Sequence, residues 1–173
     1  MRRRILIGLT LITIAAVIAS LTVGHDLYYD RRPDLGSFTL VHFAGYLFFI
    51  VMPVEVLVPW YLAEGHAAHV LLGLALATAI PAQAVDFLIG RLFSGNVIEH
   101  VIGERRLRRA QGMIDRFGGW TIFLFNLFPL SSPTILAAAG LLRFAPQRAL
   151  LWSVAGLTLK YAAIVWVFGP AGA

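Results

Sequence analysis

The chain has 173 residues, of which 59% are hydrophobic and only 13% charged, with a net charge of +5 and no cysteine. Such an apolar share lies far outside the range of soluble domains and marks a polytopic membrane protein of one domain. Disulfides and cysteine-held metals are excluded, and no aromatic-basic groove or binding motif directs the positive charge to nucleic acid.

Thirteen of the fourteen basic residues are Arg, grouped in a few loops, as expected of loops that face the cytoplasm and its anionic lipid. Arg2, Arg3 and Arg4 precede an apolar run of about twenty residues, enough to cross a bilayer. A basic flank, an apolar core and small residues at Ala19-Ser20 are also the plan of a secretory signal. More membrane segments follow, so residues 1–24 read as a retained N-terminal transmembrane helix with a cytoplasmic N-terminus. Residues 25–37 form a polar outside loop in which Asp26, Asp30 and Asp34 offset Arg31 and Arg32. Tyr28 and Tyr29 there suit the interfacial belt.

Residues 38–65 hold two apolar arms, each too short to span, around Pro53, Glu55 and Pro59, and end at Glu64-Gly65. They read as a re-entrant hairpin entering from outside; a single kinked span would reverse the orientation of everything after it. Residues 67–90 are a full span that carries Pro81, Gln83 and Asp86 towards its far end. Residues 91–117 are strongly basic. Leu107, Ala110, Ile114 and Phe117 recur there at helical spacing, which predicts a cytoplasmic amphipathic helix in the anionic inner interface, divided near Gly103.

Residues 118–142 are long enough to span, yet Asn126, Pro129, Ser131, Ser132 and Pro133 interrupt them. Broken backbone at membrane depth survives where protein or a water-filled cavity surrounds it, and transporters build sites from such half-helices. A second re-entrant hairpin is expected here, followed by a last span at residues 147–168 containing Lys160. With both hairpins re-entrant, every dense Arg cluster lies inside. Each half then reads hairpin plus transmembrane helix, the halves are inverted in topology, and the hairpin tips meet near the midplane. The expected fold class is therefore an all-α polytopic membrane protein with an inverted repeat.

Ionisable groups in apolar segments are costly, about 2.5–3.5 kcal/mol on insertion scales, and usually have a partner and a role. Glu55, Asp86, Asn126, Ser132 and Lys160 are the candidate substrate- or ion-binding residues, and Pro53, Pro59, Pro129 and Pro133 the hairpin breakers. Lys160 lies ~20 Å from the inner end of its span and Asp86 only ~6 Å from the inner end of its own, by rise per residue. That mismatch favours a Glu55–Lys160 pair over a Lys160–Asp86 pair. Alternatively, Lys160 snorkels outward along its stem. Glu55 could instead be a turn carboxylate capping the next half-helix, and Asp86 with Arg91 a simple interfacial anchor. His42 is expected to be a packed or hydrogen-bonded helix residue. His66 and His69 lack a third ligand for zinc, and Ser131-Ser132 has no base within predictable reach for nucleophilic chemistry. Neither an enzyme nor a metal or other cofactor is expected.

Several motifs in order resemble one family. They are P-V-E around Glu55, D-F-L-I-G-R from Asp86 to Arg91, and R-F-G-G-W from Arg116 to Trp120. F-P-L-S-S-P-T-I-L-A-A-A-G-L-L-R follows up to Arg143, then G-L-T-L-K-Y from Gly156 to Tyr161. Together they resemble the DedA family, also called SNARE-associated or VTT-domain membrane proteins, and its YqaA-like branch. The resemblance covers residues 53–161. It implies two oppositely directed re-entrant hairpins, a multi-pass protein of the inner or plasma membrane, and a role in envelope homeostasis. It also implies movement of phospholipid or polyprenyl phosphate between leaflets, in some relatives linked to the proton gradient. The wider family carries arginines near the second hairpin's proline, and YqaA-like members a Gly-Asp; this chain has Asn126 and Ser131-Ser132 in those places. Lys160, at a usual Arg position, keeps one cation. The expected partners are membrane lipids and protons, with a homo-oligomer compatible. A non-transporting scaffold and a small-solute or drug exporter are the competing readings.

Overall fold

The computed structural model describes residues 10, 34–47, 54–93, 103–128 and 132–169. The N-terminal helix expected at residues 1–24, and Pro53, Pro129 and Ser131, therefore lie outside the described residues, apart from Thr10. Among the described residues all regular structure is helical. Helix α1 spans Leu35–Tyr46, a 3₁₀ turn covers Val54–Val56, and α2 spans Leu57–Ala63. Then come α3 at Ala68–Leu92, α4 at Glu104–Phe117, α5 at Gly119–Leu127, α6 at Ser132–Leu141 and α7 at Pro146–Phe168.

Two of these helices, α3 and α7, are long and apolar enough to cross a membrane. Their 25 and 23 residues correspond to about 37 and 34 Å at the α-helical rise, against a hydrocarbon core of about 30 Å. The others cannot span: α1, with 12 residues, reaches only about 18 Å, and α5 and α6, with 9 and 10, about 13–15 Å. The sequence of short helix, short helix, long helix occurs twice, as α1–α2–α3 and α5–α6–α7. The first short helix of each set packs on its own long helix, whereas α6 packs most extensively on α3, in the other set. Helix α2 touches both α3 and α7. The long helices run antiparallel, because Thr78 and Tyr161 share His42 while Gln83 meets Ser153.

Local chemistry sets the boundaries. Asp34 caps α1, accepting from the Ser37 amide at 3.0 Å and the Ser37 hydroxyl at 2.7 Å, the standard way to satisfy an orphan N–H. The helix thus starts inside the segment expected to be an outside loop, because that capping pattern reaches back to Asp34. Pro59, expected to break the first hairpin, instead sits within α2. Its missing N–H falls in the first turn of α2 and withdraws the helical donor from the Glu55 carbonyl in the preceding 3₁₀ turn. Pro133 is the second residue of α6, where a missing N–H is tolerated. Pro81 lies inside α3, and its missing N–H withdraws the helical donor from the Ala77 carbonyl.

Close backbone approach fixes the centre. A Cβ on Gly90 would lie 1.9 Å from the Ala137 carbonyl oxygen, and one on Gly140 would lie 2.0 Å from that of Phe87. Helices α3 and α6 therefore touch main chain to main chain, the close crossing that small residues permit between apolar helices. One buried cluster joins α1, α2, α3 and α7 around Phe38, Leu57, Tyr61 and Leu71; a second joins α4, α5 and α6 around Leu107, Ile122 and Leu136. The amphipathic helix α4 corrects one expectation. Its apolar residues Leu107, Ala110 and Ile114 are buried against α5 and α6 rather than presented to lipid, and Phe117 is exposed. Five arginines, Arg105, Arg106, Arg108, Arg109 and Arg116, cover its outer face.

Candidate functional site

The polar residues of the apolar helices converge in two buried clusters between α3 and α7. The first forms where the 3₁₀ turn after α1 meets α7. Lys160 Nζ donates to Glu55 Oε1 at 2.7 Å and to the Tyr46 hydroxyl at 2.9 Å. The Lys160 side chain is 5% exposed and that of Glu55 20%. Lys160 therefore does not snorkel outward. Its depth on α7, fourteen residues past Pro146, is about 21 Å along a helix of about 34 Å, and the helical turn at Val54–Val56 carries Glu55 to that level. The ammonium also lies 5.5 Å from the ring centres of both Tyr46 and Tyr161, within cation–π range. A buried charge needs such full pairing, since an isolated one costs several kcal/mol.

Around this pair the hydrogen bonds form an unbroken chain. Tyr46 donates its hydroxyl to Glu55 Oε1 at 3.3 Å, and Tyr161 donates to the Tyr46 hydroxyl at 2.9 Å. His42 Nε2 lies 2.7 Å from the Tyr161 hydroxyl, and Nδ1 lies 2.7 Å from Thr78 Oγ1. His42 is fully buried, stacked on Phe38 at 5.2 Å, and is thus a hydrogen-bonded helix residue. Thr78 in turn lines a crevice of about 540 Å³ between α1 and α3, together with Gly36, Thr39, Phe43, Ala77 and Pro81.

The second cluster surrounds the end of α5. Asn126 is buried, its amide donating to the Ile122 carbonyl at 2.9 Å and its carbonyl accepting from Gln83. Gln83 also accepts from Ser153 on α7, so one amide side chain ties three helices together. Ser132, at the start of α6, donates to the Phe125 carbonyl at 3.2 Å. That bond satisfies one carbonyl left free where α5 ends. Asp86 lies one turn beyond Gln83 on α3. It is 3% exposed, and its Oδ2 has no hydrogen-bond partner among the described residues, a more buried setting than an interfacial anchor requires. Arg91 lies over the Phe87 ring and donates to the Phe144 carbonyl at 3.4 Å.

A comparison of the chain with family models, with curated proteins and with solved structures finds no match. The site is read from its own geometry.

Of the candidate residues, Glu55 and Lys160 meet in the first cluster, Asn126 belongs to the second, Ser132 caps the break beside it, and Asp86 stands one turn further along. Sequence reasoning missed Tyr46, Thr78, Ser153 and Tyr161. Their hydroxyls are common in apolar helices and carry no charge to betray them. One signal was available for Tyr161: a phenol adjacent to the single Lys of the last span can reach the same buried space. Gln83 was visible as a polar residue in a span, but its partner Asn126 is 43 positions away.

Proposed function

We propose that this chain is a multi-pass membrane protein of the DedA type that moves an anionic lipid between leaflets. The lipid is a phospholipid or polyprenyl phosphate, the step is responsive to protons, and the membrane is the inner or plasma membrane with a cytoplasmic N-terminus. The buried Glu55–Lys160 pair, set where the 3₁₀ turn before α2 meets the last long helix, carries this reading. A proton on Glu55 removes the charge that holds Lys160, and the freed ammonium can then take a phosphate oxygen. Release of the phosphate and of the proton from Glu55 restores the carboxylate, to which Lys160 returns. Binding and unbinding thus need no covalent chemistry, and the chain acts as a translocator rather than an enzyme.

Three further features support the setting. Apolar side chains such as Leu151, Leu159, Val167 and Trp166, the last 86% exposed, stud the outside of α7, as a surface facing lipid would require. The antiparallel course of α3 and α7 suits two halves inverted in the membrane. The short α1–α2 and α5–α6 units suit re-entrant hairpins, a form of backbone tolerated at membrane depth where protein surrounds it.

The test is lipid movement in reconstituted vesicles of mixed anionic and neutral phospholipid, comparing wild type with Glu55→Gln and Lys160→Met. Both variants are expected to lose at least ten-fold in flip rate per folded molecule. Unchanged flip rates, or none above empty vesicles in the wild type, would leave the pair a structural clamp in a scaffold. Uptake of small cationic solutes without lipid movement would point to an exporter.

A further inference from the structure

The chain from Thr78 to Glu55 has a property that a purely structural network does not require. It can be fully hydrogen-bonded in either direction. In one pattern the Thr78 hydroxyl donates to His42 Nδ1, His42 Nε2–H donates to Tyr161, Tyr161 to Tyr46, and Tyr46 to the Glu55 carboxylate. In the reverse pattern a protonated Glu55 donates to Tyr46, Tyr46 to Tyr161, and Tyr161 to His42 Nε2. His42 Nδ1–H then donates to Thr78, whose own hydroxyl turns to the Leu74 carbonyl, 2.7 Å away. Lys160 donates to the Tyr46 oxygen in both, using that oxygen's second lone pair. No donor or acceptor in the chain is stranded by the reversal.

We infer that Thr78, His42, Tyr161 and Tyr46 form a proton relay that carries a proton from the crevice between α1 and α3 to Glu55. Four links, from Thr78 Oγ1 to Glu55 Oε1, are 2.7, 2.7, 2.9 and 3.3 Å long, at or close to the reach of direct transfer. The step balances without a co-reactant. Hydronium in the crevice gives a proton to Thr78, and the Thr78 hydroxyl proton passes to Nδ1. The Nε2 proton passes to Tyr161, the Tyr161 proton to Tyr46, and the Tyr46 proton to Glu55. Each intermediate group breaks one bond to hydrogen and forms one, His42 changes tautomer, and the net result is one added positive charge at Glu55. Glu55, whose side chain is 20% exposed, then releases the proton on its own side, and the hydroxyls and imidazole turn back to the first pattern. Imidazole is suited to this, since its two nitrogens exchange roles.

The entrance is placed by the fold. Pro81, one turn beyond Thr78 on α3, and Ala77, whose carbonyl has lost its helical donor, line the crevice beside the Thr78 and Thr39 residues. Elsewhere its walls are apolar, at Leu40 and Phe43. Among the described residues, the ionisable groups that face the relay are Glu55 and Lys160, with Tyr61 of α2 near Phe38 at 5.1 Å; Asp86 and Arg91 lie further along α3 than Thr78, about 12 and 20 Å away by rise per residue. This inference concerns proton movement and holds independently of lipid transport.

The experiment uses the full chain in vesicles loaded with a pH-sensitive dye, under an imposed pH gradient with charge compensation by potassium and valinomycin. Wild type is expected to admit protons faster than protein-free vesicles. Tyr161→Phe removes the bridging hydroxyl while keeping the ring, and is expected to slow proton entry at least ten-fold. Equal entry for wild type and variant, or no entry above protein-free vesicles, would overturn the relay. A second measurement needs no substitution: nitrogen NMR of ¹⁵N-histidine-labelled wild type is expected to show His42 changing tautomer as Glu55 takes its proton, and a single fixed tautomer would overturn it. Lipid flip measured in the same vesicles separates the two ideas. Proton entry without flip sinks the translocator and keeps the relay, and flip without proton entry does the opposite.

Discussion

Removing one partner of the Glu55–Lys160 pair leaves the other charge buried, and the two single substitutions should not cost the same. Glu55→Gln strands an ammonium whose side chain is 5% exposed, whereas Lys160→Met strands a carboxylate that is 20% exposed. Breaking a buried pair from one side costs about 3–5 kcal/mol. Water reaching Glu55 places Lys160→Met near the lower end, and Glu55→Gln falls nearer the upper end, moderated by the Tyr46 hydroxyl that still accepts from Lys160 at 2.9 Å. The double variant removes both charges together with their desolvation penalty. Its stability should return to within about 1 kcal/mol of wild type, because replacing a whole buried pair is often neutral. The assay is reversible unfolding of the purified protein in mixed detergent micelles, read by circular dichroism over the four members of the cycle. An interaction energy of at least ~3 kcal/mol is expected. Single effects that add to the double within ~0.5 kcal/mol, the behaviour of independent sites, would refute the coupling.

The remaining predictions test the frame around that pair. Gly90→Ala places a methyl group 1.9 Å from the Ala137 carbonyl oxygen, so α3 and α6 must separate; a loss of about 1–3 kcal/mol, the usual cost of overpacking, is expected in the same unfolding assay. Leu107→Ala should cost about 2–5 kcal/mol because Leu107 is 1% exposed in the α4–α6 contact, while Phe117→Ser should change stability by less than ~0.5 kcal/mol. If α4 lay apolar side down in lipid, both side chains would face lipid and the two costs would be similar. Asp34 is held below the ordinary aspartate value of 3.8 by its bonds from the Ser37 hydroxyl and amide. Its ionised form is therefore favoured by folding, so the cap is intact above that pH and lost as pH falls below it. The protection factors of the Ser37 and Phe38 amides, taken against the intrinsic exchange rate at each pH, should fall on acidification, and Asp34→Ala should lower them at every pH.

Much of the arrangement was legible along the chain. Two helices long and apolar enough to span stand at nearly the expected places, Ala68–Leu92 and Pro146–Phe168, because a run of twenty apolar residues admits few other structures. The break near Asn126 was visible as prolines and polar residues where hydrocarbon would have none. Helix ends were less legible. Pro59 and Pro133 read as breakers, yet each lies in the first turn of a helix, where a missing N–H costs less than in the interior. The amphipathic period of α4 was plain, but periodicity says only that one face is apolar, and cannot say whether lipid or protein covers it.

The sequence by itself determined the composition of the interior: helices long enough to cross a bilayer, two shorter broken units, and one cation, Lys160, too deep in its span to reach water easily. A simple depth count also pointed to Glu55 as its partner, since rise per residue is fixed by the α-helix. What only the tertiary structure decided was which uncharged groups complete the set. His42, Tyr46, Thr78 and Tyr161 come from three helices and join residues up to 119 positions apart. Hydroxyls and amides carry no charge whose cost must be answered within the segment, so nothing along the chain announces their pairing. Their partners are fixed by helix crossings, and those depend on where glycines such as Gly90 and Gly140 let backbone meet backbone.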